Sequence, residues 1–413
     1  MKDIKELANE CFSCPNKPCS QGCPVRTNIP EFIQEIKNDN INKAYVILHK
    51  NNLFSHICSL VCPQEKQCEG SCIRNAKFGA THIGELEKFV NEKAIEKGIK
   101  FDVEKKANNG KKVAVIGSGP AGLECAYELL LQGFSVDIYE KENEIGGLLV
   151  YGIPDFRLDR KIVENIIDII KNLGANFYLE NELGKDIFLE NIRKNYDFVF
   201  LGIGAPKSSM YSLNTNKSNS IFDSNIFLKK YNRGEYISNL GKVVVIGGGN
   251  VAMDCARAAV RMGAEEVKIL YRRDKSHMPA RIIELEDAIN DGVIFKELVR
   301  VESANDNNEI ITSVNCVETE IINGKAVDKE NGRIWKEEAN TIVFAIGLKP
   351  DKALLESQGL ELDDWGYLKL DENGKTNFEN VYAAGDVNDN NAYVCRAIAG
   401  AKKAAVAIAS KVL

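Results

Sequence analysis

Three observations predict an α/β chain in which two parallel-sheet, Rossmann-like dinucleotide-binding domains follow a small α-helical module. A strand, a glycine-rich loop and a helix occur twice, about 130 residues apart. Each of these units is followed by a second strand, which completes a β-α-β half. Eight of the 12 cysteines crowd between Cys11 and Cys72, ahead of both units.

The chain has 413 residues, 44% of them apolar and 27% charged. At roughly 100 to 200 residues per domain it can build two to four cores. The net charge is −6, with Lys and Arg spread along the chain, which leaves no footprint for nucleic acid. No apolar run approaches the ~18 residues of a membrane span. The start, Met1-Lys2-Asp3-Ile4-Lys5-Glu6, lacks the apolar segment of a signal peptide. The expectation is a cytoplasmic protein without membrane or nucleic-acid partners. A reducing cytosol keeps thiols free, so the dense cysteines point to metal and not to disulfides. The scattered Cys125, Cys255, Cys316 and Cys395 are expected to be small buried apolar residues without a role.

In the first unit Lys112-Val113-Ala114-Val115-Ile116 is a short apolar strand, Ala121 to Gln132 has helical period, and Val136 to Glu140 is a second strand. Between strand and helix stands Gly117-Ser118-Gly119-Pro120-Ala121-Gly122, a complete G-x-G-x-x-G. Its glycines permit a tight turn, close approach of a pyrophosphate, and close packing of the helix whose N-terminus faces that anion. Glu140 ends the next strand, where a carboxylate can accept the ribose hydroxyls of an adenosine.

The second unit runs Val243 to Ile246, Val251 to Met262 and Val267 to Tyr271, around Gly247-Gly248-Gly249-Asn250-Val251-Ala252, a G-x-G-x-x-A. Where the first unit has its acid, this one has Tyr271-Arg272-Arg273. Two guanidinium groups beyond the strand suit a 2′-phosphate, and the missing carboxylate removes a repulsion. NADPH is the expected nucleotide. Pro206 to Asn239, rich in Ser, Asn and Lys, is expected to be a surface connection with a short helix around Ile226 to Tyr231. Farther on, Val381-Tyr382-Ala383-Ala384-Gly385-Asp386 is a strand ending in Gly-Asp, followed by an alanine-rich helix from Arg396. Such an Asp can bind ribityl or pyrophosphate oxygens, and the helix N-terminus can face a flavin ring.

The order of these pieces, with strands Asp197 to Gly204 and Thr341 to Gly347 between them, resembles the two-dinucleotide flavoprotein reductases. With the cysteines added, the resemblance narrows. Cys11-x2-Cys14-x4-Cys19-x3-Cys23-Pro24 and Cys58-x3-Cys62-Pro63-x4-Gln67-Cys68-x3-Cys72 resemble the glutamate synthase small (beta) subunit family. So do Ile83-Gly84-Glu85-Leu86-Glu87, Gly146-Gly147-Leu148, Tyr151-Gly152-Ile153-Pro154 with Phe156-Arg157-Leu158, and Tyr271-Arg272-Arg273 with Met278-Pro279. The same module occurs in dihydropyrimidine dehydrogenase, in the large subunit of a ferredoxin:NADP oxidoreductase and in sulfide dehydrogenases.

The resemblance implies an NADPH domain inserted in an FAD domain. The division expected is a cluster domain at 1–108, an FAD domain at 109–240 and 346–413, and an NADPH domain at 241–345. FAD contacts are implied at Gly117, Gly119, Pro120, Ala121, Gly122, Glu140, Gly147, Leu148, Arg157, Gly385 and Asp386, and NADPH contacts at Gly247, Gly249, Asn250, Val251, Ala252, Arg272 and Arg273.

Close cysteine spacing ending in Cys-Pro resembles bacterial ferredoxin ligation and implies two [4Fe–4S] clusters. Zinc also suits such spacings, but it carries no electrons between dinucleotide sites. By resemblance, Cys11, Cys14, Cys19 and Cys72 hold one cluster, and Cys23, Cys62, Cys68 and Glu87 the other. Counting eight cysteines as four plus four would use Cys58 instead of Glu87. Ile83, Glu87, Val90 and Ala94 fall at helical spacing, which puts a carboxylate on an apolar stripe, and a buried carboxylate needs a partner. A favourable charge at a helix start is the competing account of Glu87.

The function expected is an electron-input subunit. Hydride from NADPH reaches FAD, and electrons then pass singly through the clusters to a partner, with no side chain acting as catalyst. Glutamate synthase would require a large subunit as that partner, since Met1 is followed by Lys2 and supplies no N-terminal cysteine for glutamine deamidation. A disulfide reductase would need a cysteine pair that Cys125 and Cys255 lack. A non-catalytic scaffold binding a nucleotide and zinc is the reading from another class.

Overall fold

The computed structural model describes residues 3–215, 219–307, 310–390 and 393–412. They form two compact units. One holds Met1–Val150, Asp155–Ala205 and Pro350–Leu413, and the other Tyr151–Pro154 and Pro206–Lys349.

The first unit begins with helices Ile4–Asn9, Pro18–Gly22, Ile29–Lys37, Ile41–Asn51, Ser55–Val61 and Ile83–Glu96. Pro18 and Pro30 sit in first turns, where a missing N–H costs nothing. Asn40 caps the fourth helix by accepting from the Lys43 N–H. Leu7, Phe32, Ile33, Ile36, Leu48, Ile83, Leu86 and Val90 close one apolar core, into which Cys19 and Cys68 are packed.

The same unit contains a five-stranded parallel sheet in the order Val381–Ala383, Phe198–Leu201, Lys112–Ile116, Ser135–Tyr139, Asn176–Tyr178. Helix Pro120–Leu131 follows the first glycine loop and packs against the C-terminal helix Val394–Ala409. The sheet is discontinuous in sequence, because its edge strand Val381–Ala383 comes after the whole of the other unit.

The second unit repeats the arrangement, with parallel order Ile221–Asp223, Thr341–Phe344, Lys242–Ile246, Glu266–Tyr271, Ile294–Glu297. It carries in addition an antiparallel sheet of Val299–Asn307, Ile310–Ile322, Lys325–Asp328 and Ile334–Glu338. The two ends of its long stretch, Pro206–Lys349, are joined, as Lys207–Ser208 pairs antiparallel with Leu348–Lys349.

The expected seam at 240 and 241 differs from this division, and the reason is physical. Ile221–Asp223 pairs with Thr341–Phe344, and helix Ser224–Asn232 packs on helix Asn250–Arg261, so 206–240 is bound into the second unit. Among the described residues no helix is long and apolar enough to cross a membrane.

Candidate functional site

In the first unit the glycine loop is shaped by contacts that only glycine permits. Gly117 has φ +97°, and a Cβ there would stand 2.5 Å from the Gly202 carbonyl oxygen. A Cβ on Gly122 would stand 1.9 Å from the Gly117 oxygen. Turn and helix are therefore locked by packing. Gly119 is different, since a Cβ there would meet nothing within 4 Å. Its bareness leaves room in front of the helix N-terminus, where free N–H groups face an anion. Pro120 at the first helical position supports this geometry.

Around that space the structure gathers most of the FAD residues read from the sequence. Gly147, at φ +55°, would place a Cβ 2.9 Å from Gly119 Cα, so the Gly146-Gly147-Leu148 segment lies on the loop itself. Gly385 fits between Ala121 and Ala397, with its Cβ position 3.3 and 3.6 Å from theirs. Burial, with Asp389 close by, raises the Asp386 carboxyl to about 6. Glu140 Oε2 accepts from the Ser118 N–H at 2.9 Å and from its hydroxyl at 2.6 Å, while Oε1 accepts from the Glu142 N–H at 2.9 Å. A carboxylate has about four acceptor positions, so one stays open after the loop is tied. Arg157 is half-buried in the same unit.

The second unit builds a parallel cradle. A Cβ on Gly247 would lie 2.3 Å from the Ala345 oxygen, whereas Gly249 faces open space. The Tyr271 ring covers Gly248, and its hydroxyl donates to the His277 carbonyl at 2.8 Å. The Ala280 N–H donates to the Gly248 oxygen at 3.1 Å and the Arg281 N–H to Asn250 Oδ1 at 2.9 Å. The segment through Met278 and Pro279 is thereby folded back onto the loop. Arg272 is exposed and Arg273 half-buried just past the strand end, and among the described residues neither guanidinium forms an ion pair. The empty space before each helix fits a dinucleotide pyrophosphate.

In the helical module Cys11, Cys14, Cys19 and Cys72 line one pocket with Pro18, Ile29, Ile33, Thr81 and Ile83. Burial drives the Cys19 thiol up to about 11, with Cys11 and Cys72 adding to the rise. Ser13, Lys17 and Arg26 hold left-handed backbone between the cysteines, strain of the kind that clusters at ligand sites. Four sulfur donors on an apolar wall fit an iron–sulfur cluster. Among the described residues no three His, Cys, Asp or Glu side chains converge on a single-ion position.

Elsewhere in the module burial raises the Cys68 thiol, with Glu87 and Cys23 as charged neighbours, and burial likewise raises Cys23, with Glu87 and Cys58 near it. Glu87 lies buried on helix Ile83–Glu96 together with Ile83, Val90 and Ala94. Its neighbours Cys395 and Cys58, together with burial, raise the Cys62 thiol well up. Cys58 also accepts from Asn52 Nδ2 at 3.4 Å.

Cys395 is the residue the sequence reading passed over. It opens the C-terminal helix and exchanges hydrogen bonds with the Gln67 amide at 3.2 and 3.4 Å. Seven residues on, Lys402 Nζ donates to the Asn51 carbonyl at 2.6 Å and pairs with Glu128 at 2.9 Å. No local signal in the sequence ties Gln67 to a residue 328 positions away. Cys125 and Cys255 are sealed inside helices, and burial pushes both thiols well up, which makes them inert. All 12 cysteines are free.

Two family descriptions match the sequence. Residues 111–409 match pyridine nucleotide-disulphide oxidoreductase, and residues 1–99 match dihydropyrimidine dehydrogenase domain II, 4Fe-4S cluster. The chain is 35% identical to the glutamate synthase [NADPH] small chain of Escherichia coli (strain K12), over 97% of this chain and 90% of that one. It is 32% identical to the Azospirillum brasilense small chain, over 98% and 88% of the two chains. With the NADPH-Fe(3+) oxidoreductase subunit beta of Geobacter sulfurreducens (strain ATCC 51573 / DSM 12127 / PCA) the identity is 32%, over 94% of this chain and 62% of that one. Among solved structures, Mycobacterium tuberculosis FprA in complex with NADPH matches in fold, with TM-score 0.59 and 18% identity over 72% of this chain and 84% of that one. With two glycine cradles, a thiol-lined helical module and these relatives in agreement, the chain belongs to the glutamate synthase small chain family, pyridine nucleotide-disulphide oxidoreductases that carry a 4Fe–4S domain.

Proposed function

We propose that this chain is an electron-input subunit, oxidising NADPH with FAD and passing electrons through two [4Fe–4S] clusters to a larger partner, the glutamate synthase large subunit. The chemistry supplied by bound FAD and iron–sulfur is the conversion of a hydride's electron pair into single electrons. The chain's own residues bind, orient and insulate. Gly117 to Gly122, Glu140, Gly147, Leu148, Arg157, Gly385 and Asp386 hold the flavin nucleotide, and Gly247 to Ala252 with Arg272 and Arg273 hold NADPH. Cys11, Cys14, Cys19 and Cys72 take one cluster, and Cys23, Cys62, Cys68 and Glu87 the other. Free thiols suit a cytoplasmic setting.

The observation that carries this reading is the contact of Cys395 with Gln67, which stands between Cys62 and Cys68 in the sequence. It joins the helix that follows Gly385-Asp386 to the cysteine module inside one compact unit. Electrons then have a short way from the flavin side to the thiols.

Phe12 and Ile73 line the four-thiol pocket and are 58% and 59% exposed, and Phe78, 65% exposed, meets the Phe12 ring edge to face at 6.3 Å. This apolar group is the place for a partner to dock. Mixing the chain with a glutamate synthase large subunit is expected to give NADPH-dependent glutamate from glutamine and 2-oxoglutarate, while the chain alone reduces only dyes. Phe78→Ser is expected to leave dye reduction intact and cut glutamate formation about tenfold or more, the loss typical of interface anchors. High turnover of sulfide or another small acceptor by the isolated chain overturns the subunit reading.

The nucleotide choice is tested separately. Each lost charge-assisted hydrogen bond is worth about 1.5 to 3 kcal/mol, so Arg272→Ala with Arg273→Ala weakens NADPH roughly tenfold or more and spares NADH. Stopped-flow flavin reduction with both nucleotides reads this, and equal losses would show that the arginines do not read the phosphate.

A further inference from the structure

Besides its cysteines, the core of the helical module buries four polar side chains that join in one chain. Ser55, Asn91, His49 and Glu87 are 0%, 1%, 7% and 8% exposed. The Ser55 hydroxyl lies 2.7 Å from Glu87 Oε1. Asn91 Nδ2 lies 3.1 Å from Ser55 Oγ and 2.8 Å from the Glu87 main-chain oxygen. Asn91 Oδ1 lies 2.8 Å from His49 Nε2.

The direction of every bond in this chain can be settled. The Glu87 carbonyl can only accept, so the Asn91 atom facing it is the NH2. Its second hydrogen goes to Ser55, whose oxygen accepts and whose own proton is therefore free for Glu87 Oε1. Asn91 Oδ1 must then accept from His49, which fixes the imidazole proton on Nε2. Two further observations agree. His49 Nδ1 has no hydrogen-bond partner among the described residues, as expected of a bare lone pair. The ring is wedged between Tyr45 and Phe101, at 4.0 and 5.9 Å between centroids, and burial lowers its pKa to about 4, which keeps it neutral.

We propose that His49, Asn91 and Ser55 are positioning residues that hold Glu87 as a one-oxygen iron ligand, with Oε1 taken by Ser55 and Oε2 left for iron. The proposal rests on the reading that Glu87 is a cluster ligand. A directed donor on Oε1 biases the carboxylate toward binding iron through its other oxygen, and a donor on a carboxylate draws charge away from the metal. The cluster beside Glu87 is then easier to reduce than it would be without the chain.

The test uses the full chain prepared anaerobically, with iron counted and the EPR spectrum followed through a reductive titration. Ser55→Ala is expected to keep the full iron content, to change the reduced-state signal of one cluster and to lower its midpoint potential. Ser55→Thr, which restores a hydroxyl, is expected to return both toward the starting values. If Ser55→Ala is indistinguishable from the unaltered chain while Glu87→Ala loses or alters a cluster, the positioning chain is wrong and the ligand reading stands. If Glu87→Ala also leaves iron and spectrum unchanged, the ligand reading has failed and the proposal with it. Should Ser55→Ala not accumulate, His49→Phe fits the aromatic pocket and removes the far donor. An altered signal then supports the chain, and an unaltered one overturns it.

Discussion

Gly122→Ala is expected to purify with iron but without flavin, and to oxidise NADPH more than about a hundredfold more slowly, the scale set by an ångström of misplacement at a reacting centre. The added methyl would stand 1.9 Å from the Gly117 carbonyl oxygen, a backbone atom that moves only with the whole turn. The helix must therefore shift off the strand at an overpacking cost of about 1–3 kcal/mol, and the melting temperature falls as well. Gly119→Ala separates the two effects. No atom lies within 4 Å of its Cβ position, so the fold is untouched and only the nucleotide is obstructed. Its flavin affinity is expected to drop while the melting temperature of the flavin-free protein is unchanged. Undiminished flavin binding by Gly119→Ala would mean that no dinucleotide lies in front of this helix.

Glu87→Ala is expected to cost one cluster, or about four iron atoms per chain, whereas Cys58→Ala keeps both. Glu87 has Cys23 and Cys68 as neighbours, while Cys58 is engaged by Cys62 and Asn52. Iron and sulfide analysis of anaerobic protein decides it. The reverse pattern, iron lost with Cys58→Ala and kept with Glu87→Ala, would assign the ligand to Cys58.

Both strand–loop–helix units were legible because each condenses its information into a dozen residues. Local propensity, period and glycine placement agree at Lys112–Ile116 and again at Lys242–Ile246. The burial of Glu87 was legible for the opposite reason, since its stripe is otherwise apolar and packing alone would not choose a carboxylate there. Asn91 sits one turn farther along the same buried face and carried the same signal, but an asparagine in a helix is too common to single out. The antiparallel sheet stayed hidden, since bulges between Val301 and Ser303 and between Asn305 and Asp306 interrupt its alternation. Ile221–Asp223 is a three-residue strand behind a polar stretch, and only its partner Thr341–Phe344, more than a hundred residues later, makes it one. Cys395 was invisible in principle. Its partner Gln67 is 328 residues away, and no local period encodes a tertiary contact of that span.

The pairing of Lys207–Ser208 with Leu348–Lys349 has a consequence for how the chain reaches its fold. The second unit draws its strands from one continuous stretch and can form while the first sheet still lacks an edge. Strand Val381–Ala383 must then find Phe198–Leu201 across about 180 intervening residues, a long search for a parallel neighbour. Once the folded insert clamps its own two ends, the effective loop shrinks to about 40 residues. That is roughly two halvings, or about 1.2 kcal/mol of closure entropy returned. The short two-stranded tie thus shortens the search for that strand. An insert that folds first hands the other sheet its missing strand, and with that strand comes the helix bearing Cys395 and Lys402 against the cysteine module.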